Sequence, residues 1–210
     1  MQRRSRVKMS MNFRNLVKGR VAESLLITLL ERAGYRVTRM GVEELFDEIK
    51  YLDLEHYHKL MLPVQLRSIP DLLVADTDIT KAYLVEVKFR RRFDKKTAWS
   101  LHTTLVDQRR QWPESYAVLM VGEPAFEDAS FHQDYIRVIP PGEEGKLTFD
   151  TSIWSGFNEA EQYNFLWNSL PEIQKVFKRF FQSKENQEVG YTNQQNADLI
   201  AGTLRNLAKV

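Results

Sequence analysis

The feature that most constrains the fold is the run YLVEVKF at residues 83–89, a buried-strand pattern that carries two opposite charges. The charged residues, Glu86 and Lys88, stand two positions apart. Because side chains alternate between the two faces of a strand, these two share one face, and Val85 and Val87 share the other. A core must therefore cover the apolar face. A chain of 210 residues, 43% of them hydrophobic, is long enough to form one.

Helix and strand patterns alternate along the rest of the chain, which favours an α/β fold. An amphipathic helix is predicted over residues 16–34, ending at Ala33-Gly34, where glycine suits the position after a helix. Strands are predicted for YRVTRM (35–40), IPDLLVA (69–75), KAYLVEVKF (81–89), SYAVLMV (115–121) and DYIRVI (134–139). Further helices are predicted at about 97–112, at 158–170 and at 171–183, the last opened by Pro171 in its first turn.

This pattern divides the chain into one main domain and two appendages. The main domain spans residues 1–150 and contains an acidic insertion at about 42–68. A helical extension at 151–183 is expected to pack on the core. Residues 184–210 form a polar tail rich in Asn and Gln, expected to be partly disordered with a short helix over 197–208.

Composition excludes several classes of protein. The chain has no cysteine, so disulfides, cysteine-ligated zinc and thiol nucleophiles are ruled out. Neither a signal-peptide core nor an apolar run near the ~18 residues of a membrane span is present. We therefore expect a cytoplasmic protein with no membrane partner and no small-molecule cofactor.

Charge is unevenly distributed although the net charge is only +2. Residues 1–20 contain seven basic side chains and no acidic one, and residues 88–96 contain six basic and one acidic. Residues 41–58 contain six acidic and one basic. This separation permits a face that binds a polyanion, and ordinary solvated charge runs would give the same pattern.

The segment before the charged strand predicts which residue lies opposite Glu86. DTDIT at 76–80 is turn-like, so the strands on either side are predicted to form an antiparallel hairpin. If the turn centres on Asp78-Ile79, paired residue numbers sum to 157 and Asp71 lies opposite Glu86. Opposed residues share a face, with Cβ atoms ~4.5–5.5 Å apart. Two carboxylates and the ammonium of Lys88 then meet at one place.

Such a cluster suits a particular chemistry. Two close carboxylates repel each other unless a cation lies between them, and Mg²⁺ binds to carboxylates, waters and substrate phosphates. A bound ion stabilises charge on a phosphodiester, and a neighbouring lysine can orient or deprotonate the attacking water. Metal-assisted phosphodiester hydrolysis uses all three groups. Mg²⁺ is the expected ion, and Mn²⁺ would fit the same oxygens.

The motif resembles that of a known family. Pro70-Asp71, followed by Glu86-Val87-Lys88, resembles the signature of the PD-(D/E)xK nuclease superfamily, whose fold is restriction-endonuclease-like. The helix KGRVAESLLITLLERAG and the following YRV are similar to the opening of archaeal-type Holliday junction resolvases. Glu-x-Lys also occurs at 48–50 and 144–146, but neither copy follows a Pro-Asp strand. The resemblance covers about residues 16–121 and implies a mixed central sheet flanked by helices.

The resemblance also implies roles for individual residues. Asp71 and Glu86 would bind the metal ion together with the backbone carbonyl of Val87, and Lys88 would act on the attacking water. Glu23 would bind the metal or position its hydrate, although a solvent-facing glutamate is the ordinary alternative. A polar residue from the next helix often joins the site, and Gln108 is the first candidate, ahead of Gln111.

Arginines near the motif are candidates for contacts with nucleic acid. Those along the strand could bind phosphates or could form a solvated edge that discourages strand pairing, and the sequence does not decide between these roles. The candidates are Arg20, Arg90, Arg91, Arg92, Arg109 and Arg110.

Three functions fit these observations. The first is a metal-dependent DNA endonuclease acting on branched or duplex DNA, structure-selective or linked to repair, recombination or a mobile element. The second is a non-catalytic nucleic-acid-binding or assembly subunit on the same fold. The third is an unrelated α/β interaction protein in which the motif is accidental. Action on a two-fold junction would require a homodimer.

Overall fold

A five-stranded sheet forms the centre of the protein. The structure, a computed structural model, describes residues 2–45, 49, 52, 54–124, 134–148, 158–178 and 193–209. The strands are β1 (Arg36–Arg39), β2 (Leu72–Ala75), β3 (Ala82–Arg92), β4 (Tyr116–Glu123) and β5 (Ile136–Ile139). Their spatial order follows the chain, β1-β2-β3-β4-β5. All neighbours are antiparallel except β3 and β4, which are parallel, so the sheet is mixed.

Helices cover both faces of this sheet, so the predicted α/β class with a mixed, helix-flanked sheet is confirmed. The helices are α1 (Gln2–Arg32), α2 (Val42–Leu45), α3 (Leu54–Lys59), α4 (Val64–Arg67), α5 (Lys95–Arg109), α6 (Glu159–Ser169), α7 (Ile173–Val176) and α8 (Asn193–Lys209), with a 3-10 helix at Glu144–Thr148. One core cluster joins the sheet to α1, α7 and α8, and the other joins it to α5 and α6. None of the helices in the described ranges has the length and apolar character needed to cross a membrane.

Local chemistry fixes where these helices begin and end. Gly34, with φ of 83°, follows α1 in the left-handed conformation that glycine tolerates. Asp94 caps α5 by accepting a hydrogen bond from the Thr97 amide at 2.9 Å. Asn158 and Glu161 form a capping box at the start of α6.

The hairpin between β2 and β3 has the predicted register. Leu72 pairs with Val85 and Ala75 with Ala82, and both pairs of numbers sum to 157. The turn is held by Asp76, whose carboxylate accepts from the Thr80 amide at 2.7 Å and from its hydroxyl at 2.6 Å. This short network explains why the turn is placed as the Asp-Thr cluster predicts.

Several element boundaries differ from prediction. Helix α1 begins at Gln2, well before residue 16. The helix predicted to open at Pro171 begins at Ile173, because the backbone before it pairs with β5: the Pro171 carbonyl accepts from the Val138 amide at 2.9 Å. Residues 179–183 of that predicted helix lie outside the described residues. The predicted insertion contains three short helices, α2, α3 and α4, in its described part.

The short helix predicted over residues 197–208 is present, and it is longer than predicted. Residues 193–209 form one helix, α8, in which Ile200, Leu204 and Ala208 are buried. Its contact with β4 depends on Gly122. A Cβ added at Gly122 would lie 2.3 Å from the Cβ of Ala208 and 2.8 Å from the Leu204 carbonyl oxygen. Glycine therefore permits this close approach of helix and strand.

We predict that Gly122→Ala destabilises the protein. The new methyl group would collide with the Ala208 Cβ and the backbone of α8, neither of which can rotate away. Overpacking of this kind lowers the free energy of unfolding by ~1–3 kcal/mol. For a domain of this size the melting temperature should fall by about 2–4 °C per kcal/mol, measured by calorimetry.

Gly202→Ala is the matched control for this variant. Gly202 lies in α8 itself with nothing within 4 Å of an added Cβ, so its substitution should leave stability unchanged or raise it. Equal melting temperatures for Gly122→Ala and the wild type would contradict the packing described for α8.

Candidate active site

The β2–β3 hairpin brings two carboxylates together. Asp71 immediately precedes β2, and Glu86 lies in β3 one pair beyond Leu72 and Val85. The Asp71 Oδ2 atom accepts a hydrogen bond from the Val87 amide at 2.8 Å. This bond fixes the Asp71 carboxylate against β3, beside the side chain of Glu86.

Glu86 is buried, with 7% of its surface exposed, and both of its oxygens have partners. Lys88 donates to Oε1 and Gln108 donates to Oε2. The Gln108 amide nitrogen lies 3.4 Å from the Ser68 carbonyl, while its own oxygen is buried without a hydrogen-bond partner. Gln108, not Gln111, is thus the polar residue that α5 contributes to this cluster.

The cluster is electrostatically strained. Burial raises the pKa of Asp71 to about 7, and the negative charge of Glu86 adds to the rise. The positive charge of Lys88 and the Val87 amide act in the opposite direction but do not cancel it. A divalent cation bound between the carboxylates would favour the ionised form of Asp71.

Glu23 approaches the cluster from α1. It is buried, and its negative charge contributes slightly to the raised pKa of Asp71. Both of its oxygens are paired with arginines, Oε1 with Arg39 at 2.7 Å and Oε2 with Arg20 at 3.2 Å. Arg39 also donates to the Ser24 hydroxyl at 3.0 Å.

Arg39 is not among the site residues predicted from the sequence. It ends β1, sixteen residues from Glu23, and no local pattern connects the two positions. The sequence feature that could have indicated this pair is the strand predicted directly after the helix, because such a strand runs back beside α1. The solvent-facing alternative for Glu23 is excluded by its burial.

The donor atoms near Asp71 suit a hard divalent cation. They are two carboxylates and the unpartnered amide oxygen of Gln108, all oxygen ligands of the kind that Mg²⁺ prefers. Within the described ranges, no three His, Asp or Glu side chains surround a common point. The protein therefore offers a pair of carboxylates, and Glu23 stays bound to its arginines.

The three strand arginines lie in different surroundings. Arg90 is half-buried and shares the sheet face of Glu86 and Lys88. Its guanidinium donates to the Phe89 carbonyl at 2.8 Å and to no other described residue, and burial lowers its pKa. Arg91, on the opposite face, pairs with Glu123 at 2.6 Å. Arg92 pairs with Asp94 at 2.9 Å.

The other three candidate arginines are engaged in ion pairs. Arg109 is buried and bonded to the carbonyls of Ser115 and Ile139 and to the carboxylate of Glu144, which argues against its predicted contact with nucleic acid. Its role is to join α5 to β5 and the 3-10 helix. Arg110 is exposed and pairs with Asp107 at 3.1 Å, and Arg20 is partly buried beside Glu23.

The end of the predicted insertion forms one wall of the cluster. Besides the Ser68 carbonyl, the Gln65 carbonyl in α4 accepts a hydrogen bond from the Trp112 indole at 3.2 Å. These bonds join the segment around α4 to the C-terminal end of α5.

Comparison of the chain with protein-family models, with curated proteins and with solved structures finds no match.

We predict that Asp71→Asn stabilises the metal-free protein at neutral and alkaline pH. In wild type, folding raises the pKa of Asp71 from 3.8 to about 7, so ionisation disfavours the folded state. This penalty is absent below about pH 4, grows up to about pH 7 and is constant above it. Asparagine removes the penalty and keeps an oxygen that accepts from the Val87 amide.

The measurement is the melting temperature of both proteins across this pH range, with chelator present. The variant should exceed wild type by on the order of 5 °C at pH ~8, and the difference should shrink toward pH ~4. Asp78→Asn, in the exposed hairpin turn, controls for loss of any carboxylate. A gain that is the same at all pH values would contradict the raised pKa.

Proposed function

We propose that this protein is a metal-dependent DNA endonuclease with a PD-(D/E)xK, restriction-endonuclease-like core. The observation that carries the proposal is the placement of Asp71 against Glu86, with Lys88 bonded to the same carboxylate, on one partly buried spot of the sheet. The three groups that metal-assisted phosphodiester hydrolysis needs are thus adjacent.

The order of elements supports the same assignment. A helix bearing Glu23 is followed by a strand, by the Pro-Asp hairpin with Glu-x-Lys on its second strand, by α5 bearing Gln108, and by a strand parallel to β3. This is the order that the resemblance to the nuclease superfamily implies. An accidental Glu-x-Lys motif would not require the register that pairs Asp71 with Glu86.

Asp71, Glu86 and the carbonyl of Val87 would hold Mg²⁺, for which Mn²⁺ could substitute. The bound ion would supply Lewis acidity toward the phosphodiester and lower the pKa of a coordinated water. Glu23, held by Arg20 and Arg39, would act on the hydration shell of the ion and not as a direct ligand.

The protein's own side chains have separable tasks in this scheme. Gln108 fixes the orientation of Glu86 through a hydrogen bond, and the Ser68 carbonyl in turn holds Gln108. Lys88, partly buried beside Glu86, places an ammonium where it can orient the attacking water or neutralise charge on the phosphate.

A second candidate is a non-catalytic nucleic-acid-binding or assembly subunit on the same fold. One observation favours it: within the described part of the chain the carboxylates are not grouped in threes, and Glu23 is neutralised by two arginines. Such a protein would bind nucleic acid without metal-dependent cleavage, so a cleavage assay separates the two functions.

We predict that the wild type cleaves DNA in Mg²⁺ or Mn²⁺, and that Asp71→Asn and Lys88→Ala each lower the rate by roughly 100-fold or more, since each removes a group at the reacting phosphate. The measurement is a cleavage panel of linear, nicked, flapped and four-way DNA. Binding without metal should persist in both variants, because neither substitution removes a phosphate contact outside the site.

The matched controls are Asp78→Asn and Lys81→Ala, which change the same residue types at the exposed turn of the same hairpin. Both should cleave at the wild-type rate. Binding by the wild type with no cleavage in either metal would favour the non-catalytic subunit. Equal cleavage by the wild type and both site variants would show that Asp71 and Lys88 do not take part in the reaction.

We predict a difference between two adjacent arginines in the salt dependence of DNA binding. Arg90 shares the face of Lys88 and has no carboxylate partner among the described residues, so Arg90→Ala should lower the slope of log K against log[salt] by about 1. Arg91→Ala, on the opposite face beside Glu123, should leave it unchanged. Equal slopes for both variants and the wild type would place Arg90 off the path of the nucleic acid.

A further inference from the structure

A large open cleft lies beyond the candidate active site, at the N-terminal end of α5. Its volume is about 1120 Å³, and it is bounded by the ends of β3 and β4 and the start of α6. Lys95, Lys96 and Trp99 line it from α5, and Glu159 and Tyr163 line it from α6. We call this the α5 cleft. It exceeds the ~300–1,000 Å³ typical of small-molecule pockets, so a ligand larger than a single small molecule can enter it.

Trp99 is the most unusual residue of the cleft. It is 63% exposed, whereas Ala98, Leu101 and Leu105 of the same helix are fully buried. Its ring lies near that of His102, with centroids 5.9 Å apart and planes tilted by 35°. An exposed indole at the mouth of a cleft provides a stacking surface for a planar group, and a nucleobase always presents one.

The charges of the cleft are divided between its two walls. Lys95 and Lys96 on α5 are exposed and form no ion pair with a described residue. The acids nearby are already compensated, Asp94 by Arg92 and Glu123 by Arg91. Among the described residues that line the cleft, Glu159 on the α6 wall is the remaining acid. An anionic group is therefore attracted to the α5 wall, where the indole also lies.

The α5 cleft is connected to the candidate active site by two elements. Along β3, Arg92 is four residues beyond Lys88 on the same face, a distance of ~13 Å. Along α5, which returns toward the site, Trp99 is nine residues before Gln108, a distance of ~13–14 Å. Both lengths are about 13 Å, and Arg90 lies between Lys88 and Arg92 on the same face of β3. A nucleic-acid strand that extends from Lys88 along this face would pass Arg90 and reach the cleft.

We propose that the α5 cleft binds unpaired nucleotides that flank the scissile phosphate, with a base stacked on Trp99 and backbone phosphates bound to Lys95 and Lys96. A stacked base must be free of its helical neighbours, so the cleft selects single-stranded segments over continuous duplex. The substrate class is DNA with an unpaired strand beside a duplex. The position of the scissile phosphate rests on the proposed nuclease function, whereas the binding of the unpaired strand needs no metal.

The first experiment measures binding of a labelled single-stranded oligonucleotide to the full chain by fluorescence anisotropy, with chelator present. Trp99→Ala should weaken binding by on the order of ten-fold or more, the loss expected for one stacked base. The double variant Lys95→Ala/Lys96→Ala should lower the salt slope by about 1.4, at ~0.7 for each single-strand phosphate contact. Phe165→Ala, an aromatic 48% exposed on α6 outside the cleft, and Lys81→Ala are the controls and should bind as the wild type does.

The inference is overturned if Trp99→Ala binds the single strand as the wild type does, or if it loses the same factor for blunt duplex of equal length. It is also overturned if a free mononucleotide competes as well as the strand, because the cleft would then be a nucleotide site unconnected with Lys88. Changes confined to single strands support it.

A second experiment separates this inference from the proposed function. In Mg²⁺, the Trp99→Ala substitution should lower the cleavage rate of flapped DNA by a factor at least several times larger than it lowers the rate on linear duplex. Equal loss on both substrates overturns the assignment of the cleft to unpaired strands. If no form cleaves while Trp99→Ala still loses single-strand binding, the nuclease function fails and the cleft stands as a binding site.

Discussion

The close pairing of two carboxylates across the β2–β3 hairpin is the constraint on which the site depends. Burial of Asp71, and then its repulsion by Glu86, raise the pKa of Asp71 to about 7. The surrounding structure compensates by placing Lys88 and Gln108 on Glu86 and the Val87 amide on Asp71. A hairpin with only a structural role does not need this arrangement, because a hydrophobic pair at these positions would cost less free energy to bury.

Helix α5 holds the site at one end and the cleft at the other. Its N-terminus is fixed by the Asp94 cap and its C-terminal end by Arg109, which reaches β5 and the 3-10 helix. Its apolar side is buried against β4. Because both ends are anchored, Gln108 and Trp99 keep a fixed separation. The spacing between the candidate active site and the α5 cleft is therefore set by one rigid helix.

The hairpin and its register could be predicted from sequence because both depend on neighbouring residues. The Asp-Thr turn fixes the pairing, and the alternation of Glu86 with Val85 and Val87 fixes the face. The ion pair of Glu23 with Arg39 and the burial of Arg109 could not, since each joins residues brought together only by the complete fold. Within its described part, helix α8 begins at Asn193, four residues before the helix predicted over 197–208, because the Asn and Gln residues at its start provide no apolar periodicity.

The contact at Gly122 bears on the order in which the protein can acquire its structure. Strand β4 is complete at Glu123, yet the surface above Gly122 is covered by Ala208. During synthesis, some eighty further residues must leave the ribosome before this part of the central sheet has its neighbour. The face of β4 that α8 covers therefore stays exposed until residues 193–209 have been made.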